Sequence, residues 1–341
     1  MNIYCWEGYN QKNFLNDLPL KVKSNNFISD YIVATDIKKK IIKCDVININ
    51  NAFIRDYLWK FNLIKEIDYD KYSPSYSNYI KNFLYLSKWT KSHNKKKIIG
   101  VGQRFGNLNY VINSNFIEPR TAELEGYNLI NNKNAKFGIL LFEDFNIMQI
   151  ALSCGINPFK TLDQKKLLKF KKNCQLWFDK ATLISDNYFL LNKLLNQKKI
   201  DFYLTGGTFT CSVARKEGYR NIISIVPKNK INNLKQGIIF TEVTSIIKNK
   251  FYSNYELFLD YILSIKKSYE IAMSKDTCNP VLQMGDSKVF NLFSRNDLDI
   301  IQWNNLNNSQ SFSHEYQIIP NYKKLLTVFR KILSLYPQKF I

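Results

Sequence analysis

Residues 137–155 read F-G-I-L-L-F-E-D-F-N-I-M-Q-I-A-L-S-C-G. The continuous apolar start has the character of a fully buried strand. It passes without a linker into an amphipathic stretch that opens on Glu143-Asp144 and stops at Gly155, which predicts a helix from Glu143 to Cys154. A strand buried on both faces and followed at once by a helix belongs in a sheet covered by helices. The same alternation recurs: N-I-Y-C-W (2–6) and C-D-V-I-N-I (44–49) read as strands, the second leading into a helix with Phe53, Tyr57, Leu58 and Phe61 at helical spacing. Strands are expected at Lys97–Gly102, Leu108–Asn113, Thr182–Ser185, Asp201–Thr205, Ile222–Val226 and Gly237–Ile247, and helices at 162–179, 188–197 and about 321–335. Ser253 and Glu256 form a capping box for another helix, and the final helix carries Leu325, Leu326, Phe329 and Leu333 on one stripe. This order predicts an α/β protein with largely parallel sheets.

Several function classes are set aside by composition. The longest apolar region, 137–152, is broken by Glu143 and Asp144 and falls short of the roughly 18 apolar residues of a membrane helix. No secretory hydrophobic region opens the chain, so any export signal is expected to precede Met1. The formal net charge is +21, yet the lysines are spread in short runs such as Lys38–Lys40, Lys95–Lys97 and Lys171–Lys172. No zinc finger, RNP-type motif or concentrated basic arm accompanies them, so a solvated lysine surface is the expectation and nucleic-acid binding ranks last. Six scattered cysteines, Cys5, Cys44, Cys154, Cys174, Cys211 and Cys278, support neither a zinc site nor a disulfide framework. Of the two histidines, His93 lies in a polar run, and His314 has no nucleophile nearby in sequence.

Four motifs remain. G-V-G-Q-R-F-G (100–106) imitates a dinucleotide fingerprint, but the alternating Leu108, Tyr110 and Ile112 that follow read as a strand where a helix is required, so it is rejected. T-G-G-T (205–208) ends a strand and opens a helix that stops at Gly218; it suits an anion, though an ordinary turn is the expected reading. Glu143-Asp144 either complements the helix dipole or offers carboxylates to a cation at the carboxyl end of a strand. Glu242 interrupts the apolar strand G-I-I-F-T-E-V-T-S-I-I and shares a face with Phe240 and Thr244. A carboxylate there either points to solvent at a strand edge or meets a cation in a cleft, with Phe240 as a cation–π surface. At the other end of the chain, Y-C-W-E-G-Y-N (4–10) crowds aromatics onto the end of the first strand.

In order and spacing these pieces resemble the periplasmic spermidine/putrescine-binding proteins, the solute-binding components of polyamine ABC transporters. W-E-G-Y (6–9) looks like the family's first-strand W-x-x-Y, and D-V-I-N-I-N-N-A-F-I-R-D-Y-L-W-K-F-N-L-I-K-E-I-D (45–68) resembles its ligand-touching loop and helix. R-F-G-N-L-N-Y-V-I-N (104–113) is similar to a crossing strand W-G-x-x-x-x-x-x-N. The strand and acidic turn at 137–155 and A-R-K-E-G with I-V-P-K-N further on complete the likeness.

The resemblance implies a two-lobe, periplasmic-binding-protein-like (type II) fold, each lobe a mostly parallel sheet flanked by helices, with ligand in the interlobe cleft. Lobe 1 is expected at 1–106 plus about 241–285, lobe 2 at about 107–240 plus 286–341, with crossing segments near 104–108 and 238–243. It implies binding of a polyamine or related cationic amine without catalysis, cofactor or metal. Its ligand residues are then Trp6, Tyr9, Asn50, Phe53, Phe105 (for a family tryptophan), Glu143, Asp144, Phe240 (for a stacking tryptophan), Glu242 (for the principal amine-binding aspartate) and Asn304. Gly206-Gly207 replaces another aromatic wall. A monomer working in the periplasm with ABC permease subunits is implied as well. The alternatives are a same-fold binder of an anionic or other small solute using T-G-G-T and Arg104, and an enzyme using Glu143 or Asp144 as acid or base.

Overall fold

The computed structural model describes residues 1–10, 12–248, 255–306 and 309–341. Ser253 of the expected capping box lies outside them. The first six described strands are β1 (Asn2–Cys5), β2 (Lys23–Asn26), β3 (Val46–Asn50), β4 (Val101–Asn113), β5 (Phe137–Leu140) and β6 (Leu183–Ser185). The next six are β7 (Phe202–Gly207), β8 (Ile222–Ile225), β9 (Lys230–Ile231), β10 (Leu234–Lys235), β11 (Gly237–Ile246) and β12 (Ser313–Glu315). The chain divides into two compact units: Met1–Gly106, Phe240–Trp303 and Tyr316–Ile318 make unit 1, and Asn107–Ile239, Asn304–Glu315 and Ile319–Ile341 make unit 2. Residues 286–303 therefore pack in unit 1, whereas the sequence reading assigned 286–341 to the second lobe. Both β4 and β11 contribute residues to each unit.

In unit 1, β2, β1 and β3 run parallel and β11 lies antiparallel to β3. Every residue of β3 is buried. Its asparagines must therefore find partners inside the protein: Asn48 donates to Thr244 Oγ1 at 2.9 Å, and Thr244 donates to Gln103 at 2.9 Å. Ile3, Cys5, Tyr9, Val46 and Ile246 meet Phe258, Leu259 and Ile262 of the helix Tyr255–Leu263 in the unit's core. Each such apolar side chain contributes about 1.5–3 kcal/mol by burial. The expected helix around Phe53 is a π-helical segment, Phe53–Leu58.

In unit 2, β7, β5 and β6 are parallel, and β4 lies antiparallel between β7 and β8. The strand β5 passes into the helix Glu143–Ser153 as expected, and that helix is buried from Asp144 to Leu152. A helix enclosed on all sides must satisfy its polar side chains internally. Asn146 donates to Leu140 O at 3.0 Å and Thr205 Oγ1 at 2.7 Å, and Gln149 donates to Asn109 O at 2.8 Å. Thr205 sits at φ 70° where the β4–β7 register slips, so a bulge turns its side chain onto this helix.

Two expectations need correction. The strand predicted at 108–113 begins earlier, as β4, which takes in only the last two residues of the strand predicted at 97–102; the polar Gln103 and Arg104 inside it are buried and bonded within unit 1. In the C-terminal helix, Tyr322–Leu333, the buried stripe is Leu325, Phe329 and Ile332, with Leu326 and Leu333 only half-buried.

Candidate functional site

The sequence-derived site residues fall into two groups by unit. In unit 1 the first group gathers around two carboxylates, and the first of these is Glu242. Arg104 on β4 donates from Nε to Glu242 Oε2 at 2.9 Å and from Nη2 to Oε1 at 3.0 Å. The side chains are only 3% and 6% exposed. This is the fork geometry that makes arginine–carboxylate pairs strong and directional. Glu242 is thus neither at a solvent edge nor waiting for a cation: the chain supplies its own.

The early W-E-G-Y turn wraps this pair. Arg104 Nη2 also donates to the Glu7 carbonyl, and its guanidinium lies 4.9 Å from the centre of the Tyr9 ring. Gly8 has φ +105°, and a Cβ there would stand 2.7 Å from Arg104 Nη1, so only glycine fits between the turn and the guanidinium. Tyr9 is 1% exposed and belongs to the core of unit 1. Burial, then the Glu242 charge, hold its phenol well above the ordinary value, so it stays neutral. Burial pulls the Arg104 guanidinium down, but the Glu242 charge outweighs it and the group titrates above its ordinary value. Beside them burial pushes the Cys5 thiol up to about 12, which leaves an unreactive packing residue.

The second carboxylate, Asp30, was not singled out from the sequence. It is fully buried and accepts from Trp6 Nε1 at 3.1 Å, Asn50 Nδ2 at 2.7 Å and Tyr316 OH at 3.0 Å. Phe53 packs on Tyr31 and Tyr316, and the Trp6 ring lies 4.8 Å from Phe27. Asn50 pairs directly opposite Glu242 across β3 and β11, which joins the two carboxylate centres. Trp6, Tyr9, Asn50, Phe53 and Glu242 therefore form one neighbourhood. Phe105 is fully buried with its ring 4.6 Å from Phe83, and Phe240, two residues before Glu242, is 6% exposed. Asp30 follows the helix-capping Ser29, and a sequence offers no way to tell such a residue from an ordinary dipole-complementing acid.

In unit 2 the candidates are spread. Glu143 is held by Arg330 through two bonds of 2.7 and 2.6 Å, and Asp144 accepts from the Tyr322 hydroxyl. Hydrogen bonding to Glu143 raises the Arg330 pKa. Asn304 lines a separate cavity of about 230 Å³ with Pro119, Glu123, Lys228 and Phe312. The T-G-G-T turn satisfies itself: the Gly207 N–H donates to Thr210 Oγ1 at 3.1 Å, and a Cβ on Gly207 would stand 2.3 Å from the Asn107 carbonyl. Close packing accounts for this glycine, as the ordinary-turn reading expected.

His93 is exposed, 3.5 Å from Asp56, and His314 packs 6.0 Å from Phe159. The six cysteines are free thiols, five of them buried. Among the described residues no cluster of three His, Cys, Asp or Glu could hold a metal ion, and no described helix is long and apolar enough to cross a membrane.

No family model matches the chain, and no curated protein matches it in sequence. Solved structures do share its fold over nearly the whole length. The spermidine/putrescine ABC transporter substrate-binding protein of Streptococcus pneumoniae is 14% identical, with 97% of this chain and 98% of that one covered at a TM-score of 0.65. The Tp0655 lipoprotein of Treponema pallidum is 12% identical, with 97% and 98% covered at 0.64. The PBP MotA from A. tumefaciens, in complex with glucopine, is 10% identical, with 97% and 99% covered at 0.62. The fold is thus the mixed α/β, periplasmic-binding-protein-like one expected from the sequence, and it is shared by proteins whose ligands differ in chemistry.

Proposed function

We propose that the chain is the non-enzymatic solute-binding component of an ABC importer, working outside the cytoplasmic membrane as a monomer that delivers its ligand to permease subunits. The observation that supports this reading is near-complete coverage in both directions of solved structures that include an ABC transporter substrate-binding protein. With it goes a candidate site built of packed aromatics, amides and carboxylates rather than a nucleophile and its base. Binding proteins need such surfaces to orient a ligand, not to transform it.

The ligand is the finer question. A polyamine has ammonium groups at separated points and needs carboxylates free to receive them. Glu242 and Glu143 are each engaged on both oxygens by an arginine. An amine at Glu242 has to displace a buried guanidinium and leave it unpaired, which is unfavourable. A neutral or anionic small solute makes no such demand, and this is the ligand class we favour over spermidine or putrescine. A thermal-shift panel of carboxylate-bearing solutes, polyols and amines tests it, because any ligand that binds the folded state alone raises the melting temperature. A rise with a neutral or anionic solute supports the reading. A rise confined to amines overturns the ligand class, and indifference to the whole panel counts against the binding role.

A further inference from the structure

We propose that Arg104 is the specificity-determining residue of this site: its guanidinium stands on Glu242 as a built-in cation and thereby closes the carboxylate to ammonium-bearing solutes. The inference rests on the reading that Glu242 belongs to the solute site, but its physical content does not.

Both Glu242 oxygens are consumed by one planar group, at 2.9 and 3.0 Å. The pair is shielded from water, so no ionic atmosphere screens it and no solvent softens an exchange. The guanidinium is also held from the sides that a departing group must leave by. The Glu7 carbonyl accepts from Nη2, the Tyr9 ring lies along it, and Gly8 packs against Nη1 without the room for a Cβ. Across the sheet, Asn50 opposite Glu242 spends its amide on Asp30 rather than on the pair. An arginine held on its carboxylate, by the carbonyl of a turn, a ring face and a glycine, is preorganised. Swinging it out would cost a hydrogen-bonded ion pair and gain only a similar one with the ligand.

Removal of the side chain beyond Cβ leaves a buried carboxylate with an adjoining void shaped for a guanidinium. Arg104→Ala should therefore acquire what the natural chain lacks, a site for a small organic cation. The probe is methylguanidinium, with putrescine as a second cation, read by thermal unfolding and calorimetry. Arg104→Ala is expected to melt below the natural protein, and methylguanidinium at about ten times its dissociation constant should raise its melting temperature by about 2–4 °C. The natural protein and Arg104→Ala/Glu242→Gln should not respond. Arg104→Lys, which keeps a cation on Glu242, should also stay indifferent, and it carries the test if the alanine variant does not fold. The inference is overturned if the natural protein binds putrescine in a Glu242-dependent way. It is equally overturned if folded Arg104→Ala ignores both cations, or if Arg104→Lys binds putrescine. Because the rescue is read on stability, it can succeed while the solute panel fails, and the reverse, so the two proposals stand or fall separately.

Discussion

Among the described residues, two long-range arginine–carboxylate pairs share nearly the same geometry in opposite surroundings. Arg104–Glu242 in unit 1 has side chains 3% and 6% exposed, whereas Arg330–Glu143 in unit 2 has side chains 56% and 26% exposed. Both are bidentate, and the exposed pair has the shorter bonds. Distance alone would rank the exposed pair as the stronger. Solvent reverses that ranking, because water competes for the exposed groups and salt screens them, while the buried groups have only each other. The lesson is that a carboxylate recognised from sequence is not yet a ligand site, and its neighbours decide whether its charge is available.

The comparison can be broken most directly at the buried pair. Arg104→Met or Glu242→Gln should destabilise the protein by about 3–5 kcal/mol in urea unfolding, since either leaves an uncompensated buried charge. Replacing both partners together should cost less than the sum of the single changes; additive losses would mean that the two groups do not neutralise each other. Next in size is Trp6→Phe, which keeps the aromatic body but deletes the donor to Asp30. A hydrogen bond to a charged group is worth about 1.5–3 kcal/mol, and a loss in that range is expected. No loss would separate Trp6 from the Asp30 centre.

Glu143→Gln sharpens the contrast from the other side. Its expected cost is below about 1 kcal/mol and should shrink further in high salt. A loss as large as that of Glu242→Gln would remove the distinction between the pairs. The smallest effect concerns pH. Burial, then the nearby Lys235 charge, hold the His314 pKa below the ordinary histidine value of about 6.5. The unfolded chain therefore takes up the proton first as pH falls through that value, and the folded state loses stability below it. His314→Phe should flatten that part of the stability profile relative to the natural protein. An unchanged slope would assign the acid sensitivity elsewhere.

The alternation that revealed the fold is a local property. β5 and the helix after it were readable because an apolar run and its stop at Gly155 lie within one window of sequence. Residue patterning alone left the middle of β4 unread, because Gln103 and Arg104 look like loop residues until their partners 141 and 138 positions away are known, and only the family resemblance carried a crossing strand through 104–113. The same distance hid the state of Glu242. Its presence in an apolar strand left two readings, a solvent-facing edge or a cation in a cleft, and neither said that the chain carries the cation itself. Asp30 was invisible for a related reason: Trp6, Asn50 and Tyr316 come from three separated segments, and only their convergence marks the residue. Trp6 and Asn50 were picked out through a family resemblance, and Tyr9 with them. The structure adds what holds each of them in position.

The central claim is that Glu242 is already occupied. Calorimetric titration of the natural protein with spermidine and putrescine, at low and at physiological salt, tests it without any substitution. The account predicts no saturable heat for either amine, with the protein folded and its buried pair intact. A saturable isotherm that Glu242→Gln abolishes would contradict it, and would return the carboxylate to the role of an amine receptor.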